Sequence, residues 1–545
     1  FRRAGASWHP IGHGFIAPSD PFVWVLTLLG SLTFWAPSLS IAILFFAAKA
    51  IAFFGAFKAA SVFTTKAWLR NLVALVFALS PVLIEAQNDL RLPALIAILT
   101  LPYLVFAVSR VALLGKEISV RSRQQTFTWV GLAALLLAIE TAAAPNTLPL
   151  AVAALLIIFL MRPRRFGYLI WIGLPMATIF APLFVYLVML SGHAGALFAD
   201  PALPLATADA PAWRFVSTAL GQSVWWPVSL ALAVTGLVAI ALASLGLLSP
   251  KSKTVAALLG FGLAALGLGW VAVHTDFAAV GIGPATADFV NGSPQALLGI
   301  WSLSLVLAIA AWLDGVKRTQ ASRLIAVLLT FLIVVPAAAV AAISTPHAKF
   351  TSGRVMPALI DAQAAAGSKA QVLEISPDQI GNGFSAAWVP VSGVQLEDSS
   401  VAYRFALADI EQNDRDYATV AQLVADLVSA NAANAQTVFA KYAIGYVLVP
   451  SASSQTEANA NASLAVSLNS VTALEAAGET EFGKIWRVRD FKSDLVQSET
   501  SPWSITKGVQ LAVLLGFVLL AIPSAGRRRA AASSEIFVDA GESND

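Results

Sequence analysis

Windows of roughly 18 or more apolar residues recur along most of the chain, and each is long enough to cross a bilayer as a helix. Only 12% of the 545 residues are charged and 58% are hydrophobic. A soluble domain of this length carries about twice that charge fraction. The chain is therefore read as an α-helical polytopic membrane protein. The formal charge of +3 is too small to imply a nucleic-acid partner. With no cysteine, disulfides, thiolate chemistry and Cys-ligated metals are excluded. The opening "FRRAG" has no apolar h-region, so no signal peptide is expected. A chain starting on Phe1 is expected to be a fragment or processed product.

Hydropathy marks candidate spans at 22–36, 39–57, 67–85, 92–114, 127–144, 147–161, 168–190, 224–248, 254–274, 295–313, 323–344 and 505–523. Basic clusters then fix the orientation. Lys58, Lys66 and Arg70, Lys116 to Arg123, Arg162 to Arg165, Lys251 and Lys253, Lys317 to Arg323, and Arg527 to Arg529 all fall on one side if every segment from 39 onward spans. By the positive-inside rule that side is cytoplasmic. The expected architecture is about 11 transmembrane helices plus a juxtamembrane or re-entrant helix, with an extracytoplasmic α/β domain.

The domains divide as an outer loop and juxtamembrane helix at 1–38 and a polytopic core at 39–344. An extracytoplasmic domain follows at 345–504, then a final span at 505–523 and a disordered cytoplasmic tail at 524–545. The protein is expected in a bacterial plasma membrane.

Segment 22–36 breaks the regular pattern. It has about 15 residues against the roughly 20 needed to cross, and Trp24 and Trp35 sit near its ends. A full span would place residues 1–21 in the cytoplasm, and an interfacial helix would place them outside. That lead, "WHPIGHGFIAPSDPF", holds His9, His13 and Asp20.

Residues 346–503 carry 17 Asp/Glu against 10 Lys/Arg, net −7. "QVLEI", "GYVLVP" and "KIWRVRD" read as strands. "MPALIDAQAAAG", "DYATVAQLVADLVSANAA" and "AQTVFAKYA" read as helices. The alternation suggests a compact α/β unit with no nucleophile elbow, dinucleotide fingerprint or His/Asp cluster, so a structural or glycan-contacting module.

Charge at the bilayer centre costs about 2.5–3.5 kcal/mol, so polar groups near the membrane need reasons. "LIEAQNDLRLPA" places Glu85, Asp89 and Arg91 in a very short outer loop. It is either a solvated turn with a weak Asp89–Arg91 pair or a carboxylate and guanidinium facing a cavity. Glu140 reads as a snorkelled or helix-paired carboxylate. His274 with Asp276 is weak evidence for metal or acid/base work. The loop 191–223 carries His193, Asp200, Asp209, Trp213 and Arg214. Its Trp213–Arg214 pair could cover a sugar or lipid phosphate, although interface anchoring explains Trp213 equally well.

The stretches "ALSPVLIEAQNDLRLPALIAILTLPYLVFAVSR" and "GLAALLLAIETAAAPNTLPLAVAALLIIFLMRPRR" resemble the membrane core of GT-C-type glycosyltransferases. With the "WHPIG" lead and the late "YAIGYVLVP" and "KIWRV" elements, they are also similar to the C-terminal membrane half of large actinobacterial glycosyltransferases, which can carry a family 2 catalytic domain upstream. The resemblance covers nearly the whole chain through diffuse hydropathy patterns. It implies a membrane glycosyltransferase, or the membrane portion of one, moving sugar from a polyprenyl-phosphate-linked donor to a cell-envelope glycan.

Asp20 takes the place of the family's acidic first-loop residue, without the adjacent second acid, and Glu85 and Asp89 lie nearby. On that resemblance a carboxylate, Asp20 or Asp89, is expected to serve as general base, and Arg91, with His9 or His13, to hold phosphate. The resemblance also favours the outer placement of residues 1–21. A divalent cation on paired carboxylates is compatible with this chemistry, but no ligand set in the sequence is specific enough to assign a metal. Two other readings stand beside it. One is a non-catalytic scaffold beside an upstream family 2 unit, and the other is a transporter or flippase of lipid-linked glycan.

Overall fold

The computed structural model describes residues 7–9, 15–34, 37–113, 120–161, 163, 166–201, 226–280, 288–315, 356–366, 370–377, 383–391, 400–408, 415–452, 454–491 and 504–522. The expected span at 323–344 and the tail from 524 lie outside them. Among the described residues, seven helices are long and apolar enough to cross a membrane: Ser38–Phe63, Ala67–Asn88, Leu92–Ala112, Thr126–Ala143, Phe166–Met189, Ser252–Val273 and Gln295–Gly315. The expected segments near 147–161, 224–248 and 505–523 contain the apolar helices Pro145–Leu160, Trp226–Leu245 and Ile505–Ala521.

In chain order the membrane-type helices are α1 (Phe22–Leu32), α2 (Pro37–Phe63), α3 (Ala67–Ala78), α4 (Pro81–Asn88), α5 (Leu92–Leu113), α6 (Val120–Ala143), α7 (Leu148–Met161) and α8 (Phe166–Phe184). They continue with α9 (Trp226–Leu245), α10 (Ser252–Val273) and α11 (Gln295–Gly315). The last of these is central, since nearly every residue from Gln295 to Leu313 is buried. Where helices approach closely the sequence is small. A Cβ on Gly55 of α2 would stand 2.6 Å from the Tyr103 ring of α5.

The two ends of the bundle differ in chemistry. At one end Asp314, in the last turn of α11, accepts from Thr64 Oγ1 at 2.9 Å and from Lys251 Nζ at 2.6 Å. Lys66 Nζ donates to the terminal carbonyls of Leu313 and Asp314 at 3.2 and 2.9 Å. A cation at a helix C-terminus answers both the unpaired carbonyls and the dipole. Two inter-helix joints, α2–α3 and α9–α10, are thereby tied to the end of α11 at this lysine end.

The other end carries an α/β domain. Two short hairpins lie outside it, β1 (Ser7–His9) with β2 (Phe15–Ala17) and β3 (Asp276–Val280) with β4 (Asp288–Asn291). The domain's five-stranded sheet has the order β6–β5–β7–β9–β8, where β5 is Gln371–Pro377, β6 Phe384–Pro390, β7 Ile444–Pro450, β8 Leu474–Thr480 and β9 Gly483–Val488. Strands β5 and β7 pair in parallel and the other pairs are antiparallel. One sheet face buries Leu373, Ile375, Val447, Val449 and Trp486 against helices Arg415–Val428, Ala435–Lys441 and Gln455–Ser470. The opposite face packs Val372, Tyr446, Leu448 and Ile485 with Met356 and Ile360. On that second face Glu374 is partly buried, and loss of hydration pushes its carboxyl above the usual value of 4.5.

The short α1 stays at the domain end. Its 11 residues give a length of about 16 Å against a core of about 30 Å. Phe22, Trp24 and Val25 share a buried cluster with Leu92 and Ile96 at the start of α5, Ala142 to Ala144 at the end of α6, and Leu183 and Leu187. Asp20 therefore lies at the same end as the α/β domain.

The chain re-enters the bundle after the domain through helix Ser504–Ala521, which passes so close to α6 that a Cβ on Gly131 would meet the backbone nitrogen of Ala521 at 2.9 Å. Pro182 inside α8 has no N–H to give the carbonyl of Thr178. Gln510 of the returning helix supplies it, donating to Thr178 O at 3.2 Å and Ile179 O at 3.3 Å, and accepts from Trp24 Nε1 at 3.2 Å. One amide thus links the leader helix, a proline break and the final helix.

Replacing that amide by Gln510→Leu removes the partners of a buried carbonyl and a buried indole. The expected loss is about 1–3 kcal/mol, read as a lower melting temperature of the detergent-solubilised chain. For Glu374, raised on folding, the ionisation penalty is full above its folded value and vanishes below 4.5. Glu374→Gln is expected to raise the melting temperature at neutral pH, with the gain disappearing at acidic pH.

Candidate active site

Loops at the domain end converge on a buried charge cluster. Both oxygens of Asp20 accept from the backbone N–H of Val401, at 3.1 and 3.2 Å. Val401 opens the helix Val401–Ala408, so the carboxylate meets unpaired N–H groups and the positive end of the dipole. One turn on, Arg404 donates from Nη2 to the carbonyl of Asp200 at 2.7 Å. Arg404 is only 3% exposed, and its Nε and Nη1 have no hydrogen-bond partner among the described residues. Burial pulls its guanidinium below the usual range, while the charges of Asp20 and Asp200 push it back. Beside it the His193 ring lies 5.2 Å from that of Phe405.

A small cleft of about 10 Å³, room for about one water, adjoins this cluster. Ala94, Ala143, Ala144 and Ala296 form its apolar wall, and Asn146, Asp200 and Ser293 supply polar groups. The turn after α6 aims Asn146 Nδ2 at the carbonyl of Ser293, 2.6 Å away. Next to Ser293, Gln295 Nε2 donates to Asp89 Oδ2 at 3.4 Å. The cleft is thereby linked to the short turn between α4 and α5, where Leu90 adopts φ +54°. Within that turn Asp89 is exposed, Glu85 half-buried and Arg91 buried one turn ahead of Ala94.

The structure thus gathers Asp20, Glu85, Asp89 and Arg91 at one end of the bundle. His9 is described only as the strand position opposite Phe15, and His13, Asp209, Trp213 and Arg214 lie outside the described residues. Glu140 is buried one turn below the cleft wall, 2.6 Å from Thr100 Oγ1. His274 stacks on Trp270 at 4.2 Å and points Nδ1 at its carbonyl. Among the described residues no group of three or more His, Asp or Glu side chains could hold a metal ion. Sequence reasoning missed Arg404, Asn146 and Ser293 and left Asp200 without a role. The Pro145–Asn146 turn, placed directly after a run of alanines, was the one local signal of a polar group held over an apolar wall.

No family model matches the chain, and no curated protein matches it. Among solved structures it is similar to a variant of the arabinofuranosyltransferase AftD from mycobacteria, with a TM-score of 0.51 and 12% sequence identity. The likeness covers 85% of this chain and 36% of that one. The shared feature is the fold. The chain spans about a third of its structural neighbour's length.

The geometry makes Asp20 a tie between the leader and the helix Val401–Ala408. Asp20→Ala removes a helix cap and a counter-charge of buried Arg404. A loss of about 2 kcal/mol or more is expected, with earlier proteolysis of the 400–408 region in a limited digest.

Proposed function

We propose that this protein is a membrane glycosyltransferase, or the membrane portion of one, that moves a sugar from a polyprenyl-phosphate donor to a cell-envelope glycan. The observation that carries the reading is the fold likeness to an arabinofuranosyltransferase over 85% of the chain. The donor sugar tested first is accordingly arabinofuranose. An actinobacterial source and a larger parent enzyme with a family 2 unit belong to the same reading.

In this mechanism the acceptor hydroxyl loses its proton to a carboxylate as its oxygen bonds to the sugar's anomeric carbon. The bond from that carbon to the phosphate oxygen breaks, and polyprenyl phosphate leaves with the electron pair. Of the three carboxylates expected to act, Asp89 is the exposed one and takes the role of base. Glu85 stands one turn behind it on α4. Asp20 is 4% exposed and bonded to a helix N-terminus, so it acts as a positioning residue. Arg91 supplies positive charge towards the leaving phosphate. His9, His13, Trp213 and Arg214 complete the proposed substrate contacts. The donor is taken to bind from the outer leaflet, with the α/β domain outside and the lysine end in the cytoplasm.

The test is sugar transfer from a labelled polyprenyl-phospho-arabinofuranose by the full chain in proteoliposomes. Asp89→Asn is expected to lower the rate by about 10²- to 10⁴-fold without changing the melting temperature. Wild-type turnover in that variant would remove Asp89 from the chemistry. No transfer by the wild type to any envelope-glycan acceptor would overturn the reading.

A further inference from the structure

We propose that the outward face of α2 around Lys49 is a docking site for a transmembrane helix of another protein, one that carries an aspartate or glutamate at mid-depth in the bilayer. Lys49 stands near the middle of the 26-residue span Ser38–Phe63. At 1.5 Å per residue its Cα lies about 16 Å from one end of that span and about 21 Å from the other. The residue is exposed, on the side of the helix that faces away from the bundle.

Elsewhere in the bundle charged groups are answered. Lys66 and Lys251 hold Asp314 and helix carbonyls, the Arg110 guanidinium lies 5.0 Å over the Phe106 ring, and Glu140 accepts from Thr100. Lys49 has no hydrogen-bond or ion-pair partner among the described residues. An ionisable side chain at the bilayer centre is costly and ordinarily faces protein. Snorkelling does not free this one. A lysine stem extends about 6 Å, against about 15 Å from the middle of the hydrocarbon to its edge. A lipid phosphate at headgroup level therefore falls short of the ammonium, and a carboxylate at the same depth does not.

This chain has no such carboxylate to offer. The acids of the seven long spans are Glu85, Glu140 and Asp314, each within one turn of an end. The apolar segments 147–161, 224–248, 323–344 and 505–523 contain no Asp or Glu. A second copy meets the same limit, so the partner is a different protein. The surface around Lys49 suits a helix. Leu39, Ile43, Phe46, Ala50 and Phe54 form an exposed stripe at three- and four-residue spacing. Ala50, next to Lys49, lets a second backbone come close, and Phe46 and Phe54 flank it one turn to either side.

The probe is a leucine-rich transmembrane peptide with one central aspartate, compared with the same peptide carrying leucine there. The full chain sits in phosphatidylcholine vesicles, labelled through Ser61→Cys, whose thiol is unique because the sequence has no cysteine. Energy transfer to the labelled peptide reports association. The aspartate peptide is expected to associate about tenfold more tightly than the leucine peptide, the value of one strong polar contact between membrane helices. Lys49→Leu is expected to erase that preference without lowering the melting temperature, and Lys49→Arg to keep it. Equal association of both peptides with the wild type would overturn the proposal, as would a preference that survives in Lys49→Leu. Loss of the preference when phosphatidylglycerol replaces phosphatidylcholine would make an anionic lipid the partner of Lys49 and overturn it too. The readout needs no sugar transfer and stands apart from that reading.

Discussion

A guanidinium with almost no access to solvent holds the helix Val401–Ala408 in register with the membrane bundle. Arg404 stands on a two-turn helix whose first amide is gripped by Asp20, and it grips the Asp200 carbonyl in turn. A buried cation is costly unless charges and acceptors surround it. Asp20 precedes α1, and Asp200 lies in the loop beyond α8. The three groups can meet only when leader, loop and the helix Val401–Ala408 are all docked. The cluster therefore specifies one arrangement of parts that hydrophobic packing alone would leave free to slide.

The same economy of polar groups runs through the bundle. Long apolar helices pack with little directional preference, so register is set where a polar group has a single answer. Gln510 answers the carbonyl that Pro182 leaves open and receives the Trp24 indole, which places the final helix against the first. Asp314 with Thr64, Lys66 and Lys251 closes the far end. With both ends pinned, the alanine-walled cleft lies between helices whose positions are fixed.

What the sequence disclosed follows from what each element buries. Strands β5 and β7 were legible because they are the central, apolar strands of the sheet. Strand β8, "LEAAGET", was not, since six of its seven positions are exposed and it has no apolar alternation to read. The shortness of α1 could be counted from its flanking prolines, but its docking could not, because that depends on Gln510 nearly 500 residues away. The apolar helices Pro145–Leu160 and Ile505–Ala521 are shorter than the seven long ones, a difference hydropathy does not report because it reads composition and not length in a helix. In the site, Asp89 and Glu85 stood out as charges in a short loop. Arg404 did not, for "VAYRFALA" resembles any amphipathic turn until Asp20 and Asp200 surround it. Asn146 and Ser293 are common turn residues, and their meaning lies in which of their atoms are already used.

That last point separates two kinds of polar surface at the domain end. Around the cleft, Asn146 gives one amide N–H to the Ser293 carbonyl and Gln295 one to Asp89, while Asn146 Oδ1, Gln295 Oε1 and Ser293 Oγ are buried without a hydrogen-bond partner among the described residues. Positive charge is placed elsewhere, at Arg91 just ahead of α5 and at Arg404 behind Asp200. Asp89 stands at the boundary, hydrogen-bonded to the cleft side through Gln295 and two residues from Arg91 on the other. In the proposed transfer a base held there would meet the acceptor hydroxyl on one flank and the departing charge on the other.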